Sequence, residues 1–214
     1  VSLVSVIIPT YNRNDLLFGR CLPSVLAQTH REVEVLVVSD GMEGEQLEDL
    51  ESRYKALQFE TEFPLRLWVV DRQPYPDDQH LRWGLSGLAA RNFGLDHARG
   101  EFVAALDDDD RMLPDAIERL VGEMDDSVDF VYGISETWKD GRTTGQLYGR
   151  YPPGDGALCN GAYVYRTSLP YRFDLDCTSR GRAGDADMWL RMLDGGVRFR
   201  FLPRIVHQYH RNWP

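Results

Sequence analysis

From its N-terminus the chain alternates short, unbroken apolar runs with amphipathic stretches. Val4 to Pro9 (VSVIIP) is rich in β-branched residues, the pattern of a strand buried on both faces. Asp15 to Gln28 carries Leu16, Leu17, Cys21, Leu22, Val25 and Leu26 at helical spacing, with Asn12 and Asn14 as candidate caps. Pro23 is expected to kink or break that helix. Val33 to Val38 predicts a second strand ending at Ser39-Asp40-Gly41, Leu47 to Leu57 a helix, and Leu65 to Asp71 a third strand. Arg72 to Gln79, with Pro74, Pro76 and Asp77-Asp78, is a loop by composition. A helix from Leu85 to Ala98 and a strand from Phe102 to Leu106 follow, then Asp107-Asp108-Asp109-Asp110. Pro114 reads as the N1 proline of another helix, with Ile117, Leu120, Val121 and Met124 on one face. This βαβαβαβ order predicts an α/β fold with a mostly parallel sheet flanked by helices on both sides.

From Asp129 the texture changes. Phe130 to Gly133 and Ile134 to Trp138 read as strand, and Lys139-Asp140-Gly141 as a hairpin turn into Thr143 to Tyr148. A Pro/Gly-rich loop spans Tyr151 to Gly156, and Gly161 to Tyr165 is another strand. Asp187 to Leu193 is a short helix closed by Gly195-Gly196, and Val197 to Leu202 and Ile205 to Tyr209 are two closing strands. These segments predict a small antiparallel second part. The break near residue 128 divides one domain, 1–214, into two functional halves, 1–128 and 129–214.

The chain has 214 residues, enough to bury a core without disulfide or metal staples. With 24 Lys and Arg against 34 Asp and Glu, the net charge is −10, which disfavours nucleic acid and anionic membranes as general partners. A small anionic ligand sees only local charge, so the sequence has to supply a way of countering repulsion. Cys21, Cys159 and Cys177 are too few and too widely spaced for a disulfide framework or a zinc ribbon, which favours a reducing cytoplasm. No apolar run approaches the roughly 20 residues of a membrane span. The chain opens on Val1, so a trimmed anchor would leave no trace, and peripheral membrane contact stays open.

Open parallel sheets bind ligands beyond the carboxyl ends of their strands. Three of the four early strands end in suitable residues: Thr10-Tyr11-Asn12-Arg13, Asp40-Gly41 and the aspartate run. Consecutive carboxylates often form only a solvated face. Here they follow Phe102 to Leu106, and adjacent carboxylates on an ordered strand end repel one another unless a cation joins them. Oxygen ligands at an open site suit Mg²⁺ or Mn²⁺, which take further oxygens from water and substrate phosphates.

Five segments in order now carry a resemblance. They are Val6-Ile7-Ile8-Pro9-Thr10-Tyr11-Asn12-Arg13, Val37-Val38-Ser39-Asp40-Gly41, Ala90-Arg91-Asn92-Phe93-Gly94, Leu106 to Asp110, and Gly184-Asp185-Ala186-Asp187-Met188-Trp189-Leu190-Arg191. Together they resemble the inverting family 2 glycosyltransferases of the GT-A fold over nearly the whole chain. The resemblance implies a metal-dependent enzyme moving a sugar from a nucleotide-diphosphate donor to an acceptor hydroxyl in polysaccharide, glycolipid or other glycoconjugate synthesis. It implies that Thr10, Tyr11 and Arg13 receive the nucleoside, Asp40 contacts the base and Arg91 lies on the donor side. It further implies that Asp107 and Asp108 touch ribose or sugar, Asp109 binds Mn²⁺ or Mg²⁺, and Asp185 is the general base. A late histidine, His207 or His210, is a further metal ligand by the same resemblance. The two would point to opposite faces of a strand, so only one serves.

The chain departs from the pattern at Ser39, where many relatives carry aspartate, and at Gly184 and Ala186 beside the base. The Arg72 to Trp83 segment is longer and more polar than the family leads one to expect. Asp185 also reads as a helix N-cap, with Asp187 the fallback carboxylate. Trp83, Tyr148, Tyr151, Tyr163, Tyr165 and Trp189 read mainly as core, those near the Tyr151 loop also as acceptor contacts. Two other functions stay in view. A sugar-1-phosphate nucleotidylyltransferase needs a glycine-rich loop after the first strand, and the first glycine here is Gly19. A non-catalytic nucleotide-sugar binder would tolerate Gly184 and Ser39. The donor base, acceptor and oligomeric state are not legible.

Overall fold

Four strands from the first half lie side by side and parallel: β1 (Val4–Thr10), β2 (Val33–Asp40), β3 (Leu65–Val70) and β4 (Phe102–Ala105). The computed structural model of the protein describes residues 1–154 and 156–211. The remaining strands are β5 (Arg111–Met112), β6 (Phe130–Lys139), β7 (Arg142–Tyr148), β8 (Tyr163–Arg166) and β9 (Phe199–His210). All nine form one sheet in the order β3-β2-β1-β4-β8-β6-β9-β5, with β7 paired to β6. The fold is therefore α/β with a sheet continuous across both halves. The second part is not purely antiparallel, because β6 and β9 pair in parallel while β8, β7 and β5 pair antiparallel to their neighbours.

β1 explains the unbroken apolar run. Val4, Val6 and Ile8 enter one core with Leu17, Leu22, Val25, Leu50, Ile117 and Leu120. Ile7 points the other way, into a core with Leu88, Leu95, Phe130, Tyr163, Met188 and Trp189. Helices cover both faces, so alternation between water and core never arises. On the first face lie α1 (Asn14–Leu16), α2 (Leu22–Leu26), α3 (Gly44–Glu60) and, beyond β4, α6 (Ala116–Gly122). On the second lie α5 (Leu88–His97) and α7 (Gly184–Asp194), with α4 (Gln79–Leu85) leading into α5.

Several boundaries differ from the sequence expectation, each for a local reason. Pro23 has no N–H, and the helix before it is a π turn, Leu17–Cys21, in which the Leu22 N–H reaches back five residues to the Leu17 carbonyl. The helix expected over 85–98 forms as α5 but starts three residues late, because Ser86 is extended and Gly87 adopts φ +72°, and a separate helix, α4, precedes it. Pro114 precedes α6 by two residues instead of occupying N1. The two expected closing strands are one, β9. The Asp140-Gly141 turn does join β6 to β7, both residues having positive φ. Of the loop from Tyr151 to Gly156, Asp155 lies outside the described residues. Cys21, Cys159 and Cys177 are free thiols, and among the described residues no helix is long and apolar enough to cross a membrane.

Asp187 settles into the role of a structural carboxylate. It is fully buried and accepts hydrogen bonds from Arg180 Nε (3.0 Å) and Arg191 Nε (2.7 Å), and these guanidinium groups hold its carboxyl below the usual range against the effect of burial. Asp187→Ala leaves both arginines without that partner. It should lower stability by about 2–3 kcal/mol, seen in thermal unfolding as a fall of roughly 4–12 °C for a chain of this size.

Candidate active site

The carboxyl ends of β1, β2 and β4 meet where the sheet predicts a ligand, and the aspartate run is their junction. The run is a turn, closed by the Asp110 N–H donating to the Asp107 carbonyl (3.1 Å), so its side chains diverge. Asp107 Oδ1 accepts from Arg91 Nη2 and from Asn160 Nδ2 (3.3 Å), and Tyr163 OH donates to Asn160 Oδ1 (2.9 Å). Asp108, buried, accepts from Thr10 Oγ1 (2.8 Å) and Arg13 Nη1 (3.3 Å). Asp109 accepts from the same Arg13 nitrogen (2.7 Å), and its backbone carbonyl from Arg20 (2.7 Å). Asp110 turns inward, where one oxygen accepts the His210 backbone N–H (2.6 Å) and the other lies 3.3 Å from His207 Nε2. Two guanidinium groups thus do part of the work that the repulsion argument assigned to a bound cation. Burial and the neighbouring Asp109 still push Asp108 up to about 7.

The expected nucleoside residues gather on one side of this turn. Arg13 follows Asn12, whose φ of +52° makes the sharp exit from β1. Tyr11 is exposed, with the Arg72 guanidinium 3.4 Å from its ring centroid. Asp40 is buried at the end of β2, where its Oδ2 accepts from Tyr75 OH and its backbone carbonyl from Arg72 Nη1 (3.1 Å). Gly41 makes this approach possible: a Cβ there would lie 2.2 Å from Arg72 Cβ. Ser39 is buried and accepts the Met42 N–H, so it serves the β2 turn. Arg91 reaches Asp107 from α5 and donates its other nitrogen to the Ser86 carbonyl (3.0 Å) at the α4–α5 break.

Asp185 approaches from α7. The helix begins at Gly184 with Ala183 as its N-cap, so Asp185 is a first-turn residue and not the cap. The departure at Gly184 has a packing reason, since a Cβ at 184 would lie 2.3 Å from Leu88 Cδ1 and α7 starts flush against α5. Asp185 Oδ1 accepts the Ala186 N–H (2.7 Å). Burial, reinforced by the charge of Asp107, pushes its carboxyl up to about 6, the range of a group that exchanges protons near neutrality.

His207 and His210 point to opposite faces of β9. His210 lies against Trp138 (6.1 Å between centroids), while His207 is buried with Nδ1 2.9 Å from Ser135 Oγ. The carboxylate His207 meets is Asp110, whereas Asp109, the expected ligand, bonds to Arg13. Asp110 Oδ2 and His207 Nε2 are buried, face each other at 3.3 Å and meet no other polar partner among the described residues. With the carboxylates of Asp107 and Asp109 in the same turn, this oxygen and imidazole chemistry fits a divalent cation. Among the described residues no three His, Cys, Asp or Glu side chains are arranged to hold a metal ion by themselves. Such an ion would draw its remaining ligands from phosphate and water.

Of the aromatic residues, Tyr163, Tyr165 and Trp189 are core, while Trp83 and Tyr151 are exposed. Sequence reasoning missed Asn160, Arg72 and Tyr75. Asn160 carries no motif. Arg72 and Tyr75 lie in the loop after β3, and the end of a parallel strand was the available signal.

A sheet of this order, with strand ends converging on an acidic turn, is the GT-A architecture. The sequence profile of Glycosyl transferase family 2 matches residues 5–63 and 79–188, and the chain belongs to that family. It is 31% identical over 147 residues to the GalNAc(5)-diNAcBac-PP-undecaprenol beta-1,3-glucosyltransferase of Campylobacter jejuni, covering 69% of this chain and 42% of that protein. It is 28% identical over 180 residues to the UDP-Glc:alpha-D-GlcNAc-diphosphoundecaprenol beta-1,3-glucosyltransferase WfgD of Escherichia coli, covering 80% and 64%. The chain thus spans less than two thirds of these relatives. The fold is shared with S. aureus TarS 1-349 in complex with UDP (TM-score 0.72, 20% identity, 98% of this chain and 60% of that one). It is also shared with the mannosyltransferase PcManGT from Pyrobaculum calidifontis in complex with GDP-Man and Mn2+ (TM-score 0.62, 20% identity, 97% and 56%).

The electrostatics give a direct test. Carboxyl carbon NMR should show Asp185 titrating near pH 6. Asp107→Asn removes the neighbouring negative charge and should move that inflection down; an unmoved inflection would separate the two residues.

Proposed function

We propose that the domain is a metal-dependent inverting glycosyltransferase that moves a sugar from a nucleotide-diphosphate donor to an acceptor hydroxyl. The observation that carries this reading is Asp185, a carboxyl raised to about 6, set on α7 across from the Arg91–Asp107 pair. Support for the donor class comes from the UDP and GDP-Man complexes of the structural neighbours and from the UDP-Glc in a relative's name. Thr10, Tyr11, Arg13 and Asp40 hold the nucleoside, and Arg91, Asp107 and Asp108 orient ribose and sugar. Asp109 would hold Mn²⁺ or Mg²⁺ together with phosphate and water oxygens, and the His207–Asp110 contact on the same turn offers the further ligand. When bound, that ion supplies Lewis-acid stabilisation of the leaving diphosphate.

In the reaction, Asp185 takes the acceptor's hydroxyl proton as that oxygen bonds to the anomeric carbon. The bond from that carbon to the diphosphate oxygen breaks on the opposite face, and the nucleoside diphosphate leaves with the electron pair. One base and one displacement invert the anomeric centre. The 129–214 half is the acceptor side. Both relatives named above carry diphospho-undecaprenol acceptors in their names, so a lipid-linked sugar is the first acceptor to test. We place the domain in the cytoplasm, meeting a membrane surface through such an acceptor.

Asp185→Asn should reduce transfer by about 10²–10⁴-fold and leave nucleotide binding intact. In the parent, kcat/KM should fall as pH drops through about 6, because only the ionised carboxylate accepts the proton. Transfer at the parental rate by Asp185→Asn would sink the base assignment, and donor binding without any transfer by the parent would favour a non-catalytic binder. Asp109→Ala should weaken nucleotide binding measured with Mn²⁺ and leave metal-free binding unchanged; equal affinity with Mn²⁺ would remove Asp109 from the metal site.

A further inference from the structure

The loop between β3 and α4 is a part of the site that the family profile leaves unmatched, since the match stops at 63 and resumes at 79. Tyr75 projects from this loop and joins two strand-end features. Its hydroxyl donates to Asp40 Oδ2 and accepts the Gly87 N–H (3.3 Å) at the break between α4 and α5. The Arg72 guanidinium lies 5.1 Å from the Tyr75 ring centroid and 3.4 Å from that of Tyr11. Asp40 is 3% exposed, and its second oxygen, Oδ1, is buried without a hydrogen-bond partner. A buried carboxylate oxygen with no donor is a standing cost that a ligand N–H would relieve.

Resting on the donor reading above, we propose that Tyr75 is a positioning residue that sets the base preference of the site. By committing Oδ2, Tyr75 fixes the carboxylate plane and leaves Oδ1 as one acceptor in one direction. That geometry suits a base with a ring N–H on its pairing edge, such as uracil or guanine. Cytosine presents a ring-nitrogen lone pair there, facing the lone pairs of Oδ1. To use its amino group, the carboxylate would have to turn, and the Tyr75 bond resists the turn. Arg72, an exposed side chain on the Tyr11 ring, is the group a stacking base would displace.

Tyr75→Phe keeps the ring beneath Arg72 and deletes only the hydroxyl. Calorimetric titration of the intact chain with UDP, GDP and CDP reads the effect. The parent should bind UDP or GDP more than tenfold tighter than CDP. Tyr75→Phe should narrow that ratio at least tenfold by weakening the preferred nucleotide, with the Kd for CDP within twofold of the parent's. In an Asp40→Asn background the same substitution should leave the ratio unchanged. Equal weakening of all three nucleotides marks a merely structural tyrosine and overturns the proposal, as does an unchanged ratio or a parent that prefers CDP. If the parent binds none of the three, the donor reading itself fails.

Discussion

Four consecutive carboxylates at the end of a buried strand, in a chain of net charge −10, repel one another and resist leaving water; the surrounding polypeptide offsets both effects. Each means of doing so also places a functional group. The Asp107–Arg91 pair draws the guanidinium of α5 to the mouth of the sheet, and Arg13 bridges Asp108 and Asp109, bringing the end of β1 onto the run. Asp110 turns away from solvent and accepts the backbone of β9, which seats His207 beside it. The spread of the run, more than any single motif, therefore decides where the other residues stand.

The same field reaches Asp185. The carboxyl sits on a helix start that would ordinarily favour its charge, yet burial and Asp107 raise it toward neutrality. Gly184 shapes this by letting α7 press against Leu88, which brings Asp185 close without a long acidic neighbour. The opposite balance holds two residues on, where Asp187 is buried but met by guanidinium groups and stays ionised. Two aspartates on one helix thus divide into a carboxyl raised toward neutrality and an ion-paired structural one.

Much of this was legible in the residues. The unbroken β-branched runs of β1 and β2 announce strands covered on both faces, and the polar ends of β1, β2 and β4 mark one edge as the site. What escaped depends on contacts distant in sequence or on backbone detail. The helix expected from Leu85 starts only at Leu88 because Gly87 takes a left-handed conformation, which hydrophobic spacing does not report. Asn160 has no periodic or motif signature and acquires a role only because Tyr163 and Asp107 flank it in space. Pairing repulsion with a metal overlooked arginines close enough to answer it. Tyr75 was visible only as part of an unusually polar loop.

The bond from Thr10 to Asp108 closes a span of 98 residues, and that from Asp110 to the backbone of His210 a span of 100. The acidic turn is the knot where these two closures meet. In synthesis the partners of Asp107, Asp108 and Asp109 on β1 and α5 emerge before the run, whereas the strand that shelters its last member emerges about a hundred residues after it. The site is consequently a property of the finished topology, and no short contiguous fragment of the chain contains it. Fraying of β9 would expose Asp110 and part it from His207 while Thr10, Arg13 and Arg91 still held Asp107 to Asp109, so the last member of the run would be the first to change its surroundings.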